Sequence, residues 1–144
     1  MRRVLLLIMA SLFMLACGNS SNAETARKQT KPAKDYVEVL LFHGKQRCIT
    51  CRAIEQHAKE LVESKFAEQM KQGKVVMRVI DFSKKENEAL AEKYQVSFSS
   101  LIVVQHKNGK EKADDMMEFA FSNARSNLEK FKSGLQQRII LALK

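Results

Sequence analysis

Residues 36–43, YVEVLLFH, form a nearly unbroken apolar run with polar residues on either side. A run this short, and rich in β-branched and aromatic residues, predicts a strand buried on both faces. The period then changes. Ile54, Ala58, Leu61, Val62, Phe66 and Met70 return every three or four positions, which predicts one amphipathic helix across 49–70. KQG stops it, with Gly73 suited to the helix C-terminus. KVVMRVIDF (74–82) predicts a second strand, and Ser83 with Glu86 predicts a capping box that opens a helix reaching about Tyr94. SLIVVQH (100–106) reads as a third strand, and KNG (107–109) as a tight hairpin. A fourth strand is expected by inference within KEKADDMMEFAFS, where no periodicity marks its limits. Ser126 and Glu129 predict another capping box before LEKFKSGLQQRIILAL, a final amphipathic helix interrupted by Gly134.

The resulting order is β-α-β-α-β-β-α. Successive β-α-β units favour parallel neighbours with helices on both faces, and the hairpin adds an antiparallel edge. The expectation is an α/β domain with a central mixed β-sheet of about four strands.

Before this domain the pattern differs. MRR is a basic start, and VLLLIMASLFMLA is an apolar run too short for a membrane-spanning helix of ~20 residues. That combination suits a secretory signal. Its end, MLAC, resembles the bacterial lipoprotein signal, in which Cys17 becomes the lipidated N-terminus; Met14 stands where leucine is usual. An ordinary signal cut after Ala23 is the alternative. Residues 1–17 are thus expected to be a signal segment, and two or three acyl chains would hold the chain on a membrane. Residues 18–34, GNSSNAETARKQTKPAK, are small, polar and basic and read as a tether, which leaves 35–144 as the domain. The expected location is the bacterial cell envelope, facing the periplasm or another extracytoplasmic space.

The formal net charge is +9, with Arg2 and Arg3 contributing to it from the signal segment. The remaining lysines are interspersed with glutamates, as in SKKENEALAEKY, and no basic stripe or reading motif points to nucleic acid. The charge reads as a solvated surface.

The three cysteines are Cys17, Cys48 and Cys51. With Cys17 acylated, only the C-x-x-C pair remains, in a compartment where a disulfide persists. Stabilisation by a cross-link grows with the loop it closes, so a pair enclosing two residues makes a poor staple. A redox dithiol and a metal clip remain open. Cys48 falls at the start of the helix that follows FHGKQR, where free N–H groups and the helix dipole favour thiolate. Lys45, Arg47 and Arg52 act in the same direction. Cys51, one turn further, is expected to be deeper and to resolve mixed disulfides.

Together the element order and this junction resemble the thioredoxin-like fold. FHGKQRCITCRAI is similar to the thioredoxin family's FWAxWCxxCKxI run, with one extra residue before the first cysteine. VIDF resembles its second core strand, and KYQVSFSSLIVVQHKNGK its KYGIRGIPTLLLFKNGE stretch. The resemblance implies a thiol-disulfide oxidoreductase with Cys48 and Cys51 as its catalytic pair. It needs no cofactor, and its partners are protein thiols, disulfides or a redox protein. Three departures stand out. Arg47 replaces the family's tryptophan, Leu41 its buried aspartate, and Ser100 (or Ser99) its cis-proline; a cis bond before a non-proline residue costs about 3 kcal/mol. The Ser100 hydroxyl is a candidate hydrogen-bond partner for a sulfur. The same departures keep a second function class open, a non-catalytic thioredoxin-like binding protein, either a dithiol metal site (copper or zinc) at the two cysteines or an adaptor without turnover.

His43 is a candidate proton donor or third metal ligand; the simpler reading is a strand-end ring bonded to backbone. His57 and His106 read as surface positions. Met116 and Met117 read as packing residues in preference to soft-metal ligands.

Overall fold

The computed structural model describes residues 31–144; the expected signal segment, Cys17 and most of the expected tether lie outside them. The elements are β1 (Tyr36–His43), α1 (Ile49–Lys65), α2 (Ala67–Lys71), β2 (Val75–Asp81), α3 (Glu88–Lys93, after a 3₁₀ turn at Lys85–Asn87), β3 (Ser100–Lys107), β4 (Lys110–Asp115), α4 (Met117–Asn123) and α5 (Leu128–Ala142). The sheet order is β2-β1-β3-β4. β1 runs parallel to β2 and antiparallel to β3, and β4 completes an antiparallel edge.

β1 is central, which is why its sequence is apolar apart from Glu38 and the terminal His43. Val37, Val39 and Leu41 face a core shared with α1, α4 and α5, including Ile54, Leu61, Phe131 and Leu135. Leu40 and Phe42 face the other side, where Ile80, Ile102 and Val104 pack against Leu90, Tyr94 and Val96. Each large side chain removed from water in this way contributes about 1.5–3 kcal/mol. Helices therefore cover both faces, as the element order requires.

The hairpin between β3 and β4 turns at Asn108 (φ 52°) and Gly109 (φ 73°). Two left-handed residues in a row match the strand twist, and Asn-Gly is the pair that adopts them at least cost. Gly73 (φ 70°) also needs its missing side chain, since a Cβ there would stand 2.5 Å from the Lys31 carbonyl oxygen. Ala33 donates to the Gly73 carbonyl at 2.9 Å, so the chain already contacts the domain before Asp35.

Four boundaries differ from expectation. The helix across 49–70 breaks at Phe66 (φ −120°, ψ 20°), whose ring stays in the core. Apolar spacing survives such a bend, because Met70 still packs on the same cluster. Ser83 makes no helix cap. Asp81 Oδ1 instead accepts from its N–H at 3.0 Å and its hydroxyl at 2.6 Å, and these bonds hold the Asp81 carboxyl below the usual carboxylate range. Ser126 does not cap the last helix either. Its hydroxyl donates to Ser122, while Asn127 Oδ1 accepts from Lys130 N–H at 3.1 Å. The unassigned stretch after the hairpin divides into β4 and α4, with Asp115 Oδ1 accepting from Met117 N–H at 2.8 Å.

Candidate functional site

The loop after β1 delivers Cys48 to the N-terminus of α1. Its backbone is extended (φ −69°, ψ 161°), and its sulfur accepts the Cys51 N–H at 3.0 Å. A cysteine thus does the work usually given to serine or aspartate at a helix N-cap. Cys48 and Cys51 are joined in a disulfide with Cα atoms 5.1 Å apart. Cys48 is exposed and Cys51 half-buried, the asymmetry expected from the sequence. Between them Ile49 is 71% exposed, and Phe98 stands 62% exposed two residues before Ser100, on the loop that leads to the buried side of the disulfide.

Below Cys51 lies a cavity of about 10 Å³, lined by Leu41, His43, Arg47, Glu55, Ser100 and Met117 among others. It has room for about one water molecule. The structure thus gathers His43, Arg47, Cys51 and Ser100 around one small space, together with Glu55, which the sequence reading did not single out. Arg47 pairs with Glu55 Oε2, and Lys59 reaches Glu55 Oε1 at 2.7 Å. The guanidinium is therefore engaged with a carboxylate eight residues on, besides lying next to Cys48 in sequence. Arg52 is exposed and makes no ion pair among the described residues. The signal for Glu55 was present in its spacing, since a residue four after Cys51 shares its helix face.

His43 Nδ1 donates to the Gly44 carbonyl at 3.0 Å, the backbone-bonded reading of that ring. The Ser100 hydroxyl donates to Phe98 O at 3.0 Å and not to a sulfur; the residue is buried. Leu41 is in the core, so β1 offers no carboxylate to the dithiol. The described peptide bonds are trans, including the one before Ser100. Met116 and Met117 are buried in the main cluster, with Met117 at the cavity wall. His57 is half-buried and lies 3.3 Å from Glu60. His106 is half-buried to the same degree. It stacks on Tyr36 and lies 3.2 Å from the buried Glu38, which also accepts from Arg78 at 3.1 Å. Among the described residues no three His, Cys, Asp or Glu side chains are grouped as metal ligands.

A β2-β1-β3-β4 mixed sheet, helices on both faces and a C-x-x-C disulfide capping the first helix define a thioredoxin-like α/β fold. Comparison with solved structures finds the solution structure of a thioredoxin from Thermus thermophilus, 16% identical with a TM-score of 0.48, covering 74% of this chain and 76% of that one. It also finds the structure of a malarial protein, 20% identical with a TM-score of 0.45, covering 73% of this chain and 98% of that one. No protein-family model matches the chain, and no curated protein matches it.

Proposed function

We propose that the protein is a thiol-disulfide oxidoreductase, exported and held on the membrane through a lipidated Cys17, acting on protein thiols or disulfides. The observation that carries the redox reading is the exposed Cys48 sulfur at the helix N-cap, bonded to a half-buried Cys51. When the pair is reduced, the N–H that Cys48 accepts and the helix dipole stabilise a thiolate there. That thiolate attacks a substrate disulfide, and Cys51 then attacks Cys48, releasing the substrate as a thiol. The dithiol gives up two electrons and becomes the disulfide; the reverse sequence oxidises a substrate dithiol. Arg52, exposed one residue after Cys51, and Arg47 are the side chains proposed to tune Cys48, while His43 and Ser100 shape the wall behind Cys51. Export and anchoring rest on the MRR start, the short apolar run and MLAC in the sequence.

The test compares reduction of a model protein disulfide by wild type, Cys48→Ala and Cys51→Ala, with bound metal quantified in each. Exchange in wild type, lost in both variants, is expected. Stoichiometric metal in wild type with no exchange would sink the enzyme reading in favour of the metal-binding one. Cys17→Ala is expected to release the protein from the membrane fraction; retention there would reject lipidation at that residue.

A further inference from the structure

Resolution by Cys51 requires its thiol to lose a proton, and the reverse reaction requires its thiolate to regain one. Leu41, where a β1 carboxylate would serve the dithiol, carries no exchangeable proton. Glu55 is the carboxylate that lines the Cys51 cavity among the described residues, and its side chain is 14% exposed. It comes from α1, one turn after Cys51, so both side chains lie on the same helix face. The other titratable groups at the cavity are His43 and Arg47; Lys59 meets Glu55 from outside. His43 has Nδ1 committed to the Gly44 carbonyl, and Arg47 has no proton to exchange near neutral pH. The space between has room for about one water, the size a one-molecule relay needs.

We propose that Glu55 is the proton carrier for Cys51, acting through one water in this cavity. This inference rests on the oxidoreductase reading. In the mixed disulfide, the Cys51 S–H proton passes through the water to the Glu55 carboxylate. The Cys51 sulfur then forms its bond to Cys48 as the Cys48–substrate bond breaks, and the leaving sulfur takes the electron pair. In the opposite direction a substrate thiolate attacks Cys48, and Glu55 returns the proton to the departing Cys51. Arg47 and Lys59 fix the carboxylate at the cavity wall, and Met117 and Ile54 close the apolar side.

The experiment reacts the reduced full chain, wild type and Glu55→Gln, with an aromatic disulfide that releases one chromophoric thiolate on attack by Cys48. A second equivalent is released when Cys51 resolves. The rate of that second release is followed against pH. Glutamine keeps the size and hydrogen-bonding reach of glutamate but carries no titratable proton. Glu55→Gln is expected to slow resolution about tenfold or more at about pH 7. It should converge on wild type above about pH 9, where Cys51 ionises without a carrier. An equal slowing at every pH, or no slowing, overturns the proposal. A pH-convergent loss in His43→Gln and not in Glu55→Gln overturns it too, giving the role to His43. Absence of the second release in wild type rejects the oxidoreductase reading itself, and the carrier with it.

Discussion

At its N-terminal end β1 carries Glu38, buried beneath Arg78 and His106; past its C-terminal end the chain reaches Glu55, held between Arg47 and Lys59. Both carboxylates are mostly withdrawn from water and both have two cationic or potentially cationic partners. Their settings differ. Around Glu38 the neighbours are themselves tied: His106 stacks on Tyr36, and Glu111 accepts from Tyr94 at 2.8 Å and Lys93 at 2.6 Å. Around Glu55 there is a small cavity and a sulfur that takes part in bond exchange. A buried charge is costly unless paired, so pairing alone says nothing of function. What separates the two ends is whether a reactive atom opens onto the same space. At the N-terminal end the charges hold strands together, and at the other end they surround chemistry.

The sharpest way to break the comparison is to remove a group at each end and measure both exchange and stability. Cys48→Ala is expected to bring disulfide exchange to background. Glu38→Ala should leave exchange per folded molecule unchanged while costing ~2–3 kcal/mol, because it strands Arg78 and His106 beside a buried strand. Urea unfolding with a parallel exchange assay checks both, and a Glu38→Ala protein that is stable but slow in exchange would erase the distinction. Gly73→Ala probes the same stabilising end from the backbone. A side chain at φ 70° pressed towards Lys31 is expected to cost ~1–2 kcal/mol in the same unfolding measurement, again with exchange intact.

The smallest effect belongs to Asp81, which pairs with His43 in the β1–β2 register at the dithiol end. Hydrogen bonds from the Ser83 hydroxyl and N–H hold its carboxyl below the ordinary range. A depressed folded-state value means its contribution is complete above the unfolded value and is lost as pH falls through the folded one. Asp81→Asn should therefore be a little less stable than wild type near neutrality and lose less on acidification. Urea midpoints measured down through the carboxylate range check the sign, and parallel curves would refute it.

The fold was legible where burial is one-sided or complete. β1 is read from sequence at its observed bounds because a central strand tolerates little polarity, and Asn108-Gly109 marks the β3–β4 turn because few other pairs accept two positive φ angles. β4 left no such mark. As an exposed edge strand, KEKADD has no face to bury, so nothing in its pattern separates it from the helix that follows. Side-chain capping was misplaced at Ser83 and Ser126 because Asp81 takes the Ser83 hydroxyl and N–H, and the last helix starts one position later, with Asn127 accepting from Lys130 N–H. Gly134, which weakened the reading of the last helix, has a packing reason: a Cβ there would meet the Phe119 ring at 2.3 Å. At the site, the cysteine junction was visible from sequence order. The engagement of Arg47 with Glu55 and the pairing of His106 with Glu38 were not, since both depend on residues brought together only by folding.

The docking of Ala33 on Gly73 also settles an orientation. Chain arriving from the N-terminal side meets the domain at the edge where β1 and β2 begin, and the sulfurs lie past the other end of an eight-residue strand. At about 3.3 Å per residue that is roughly 25 Å of separation. Attachment at Lys31 to a bead or an electrode would present the disulfide outward, whereas a graft on the loop at Ser99 would bury it against the support.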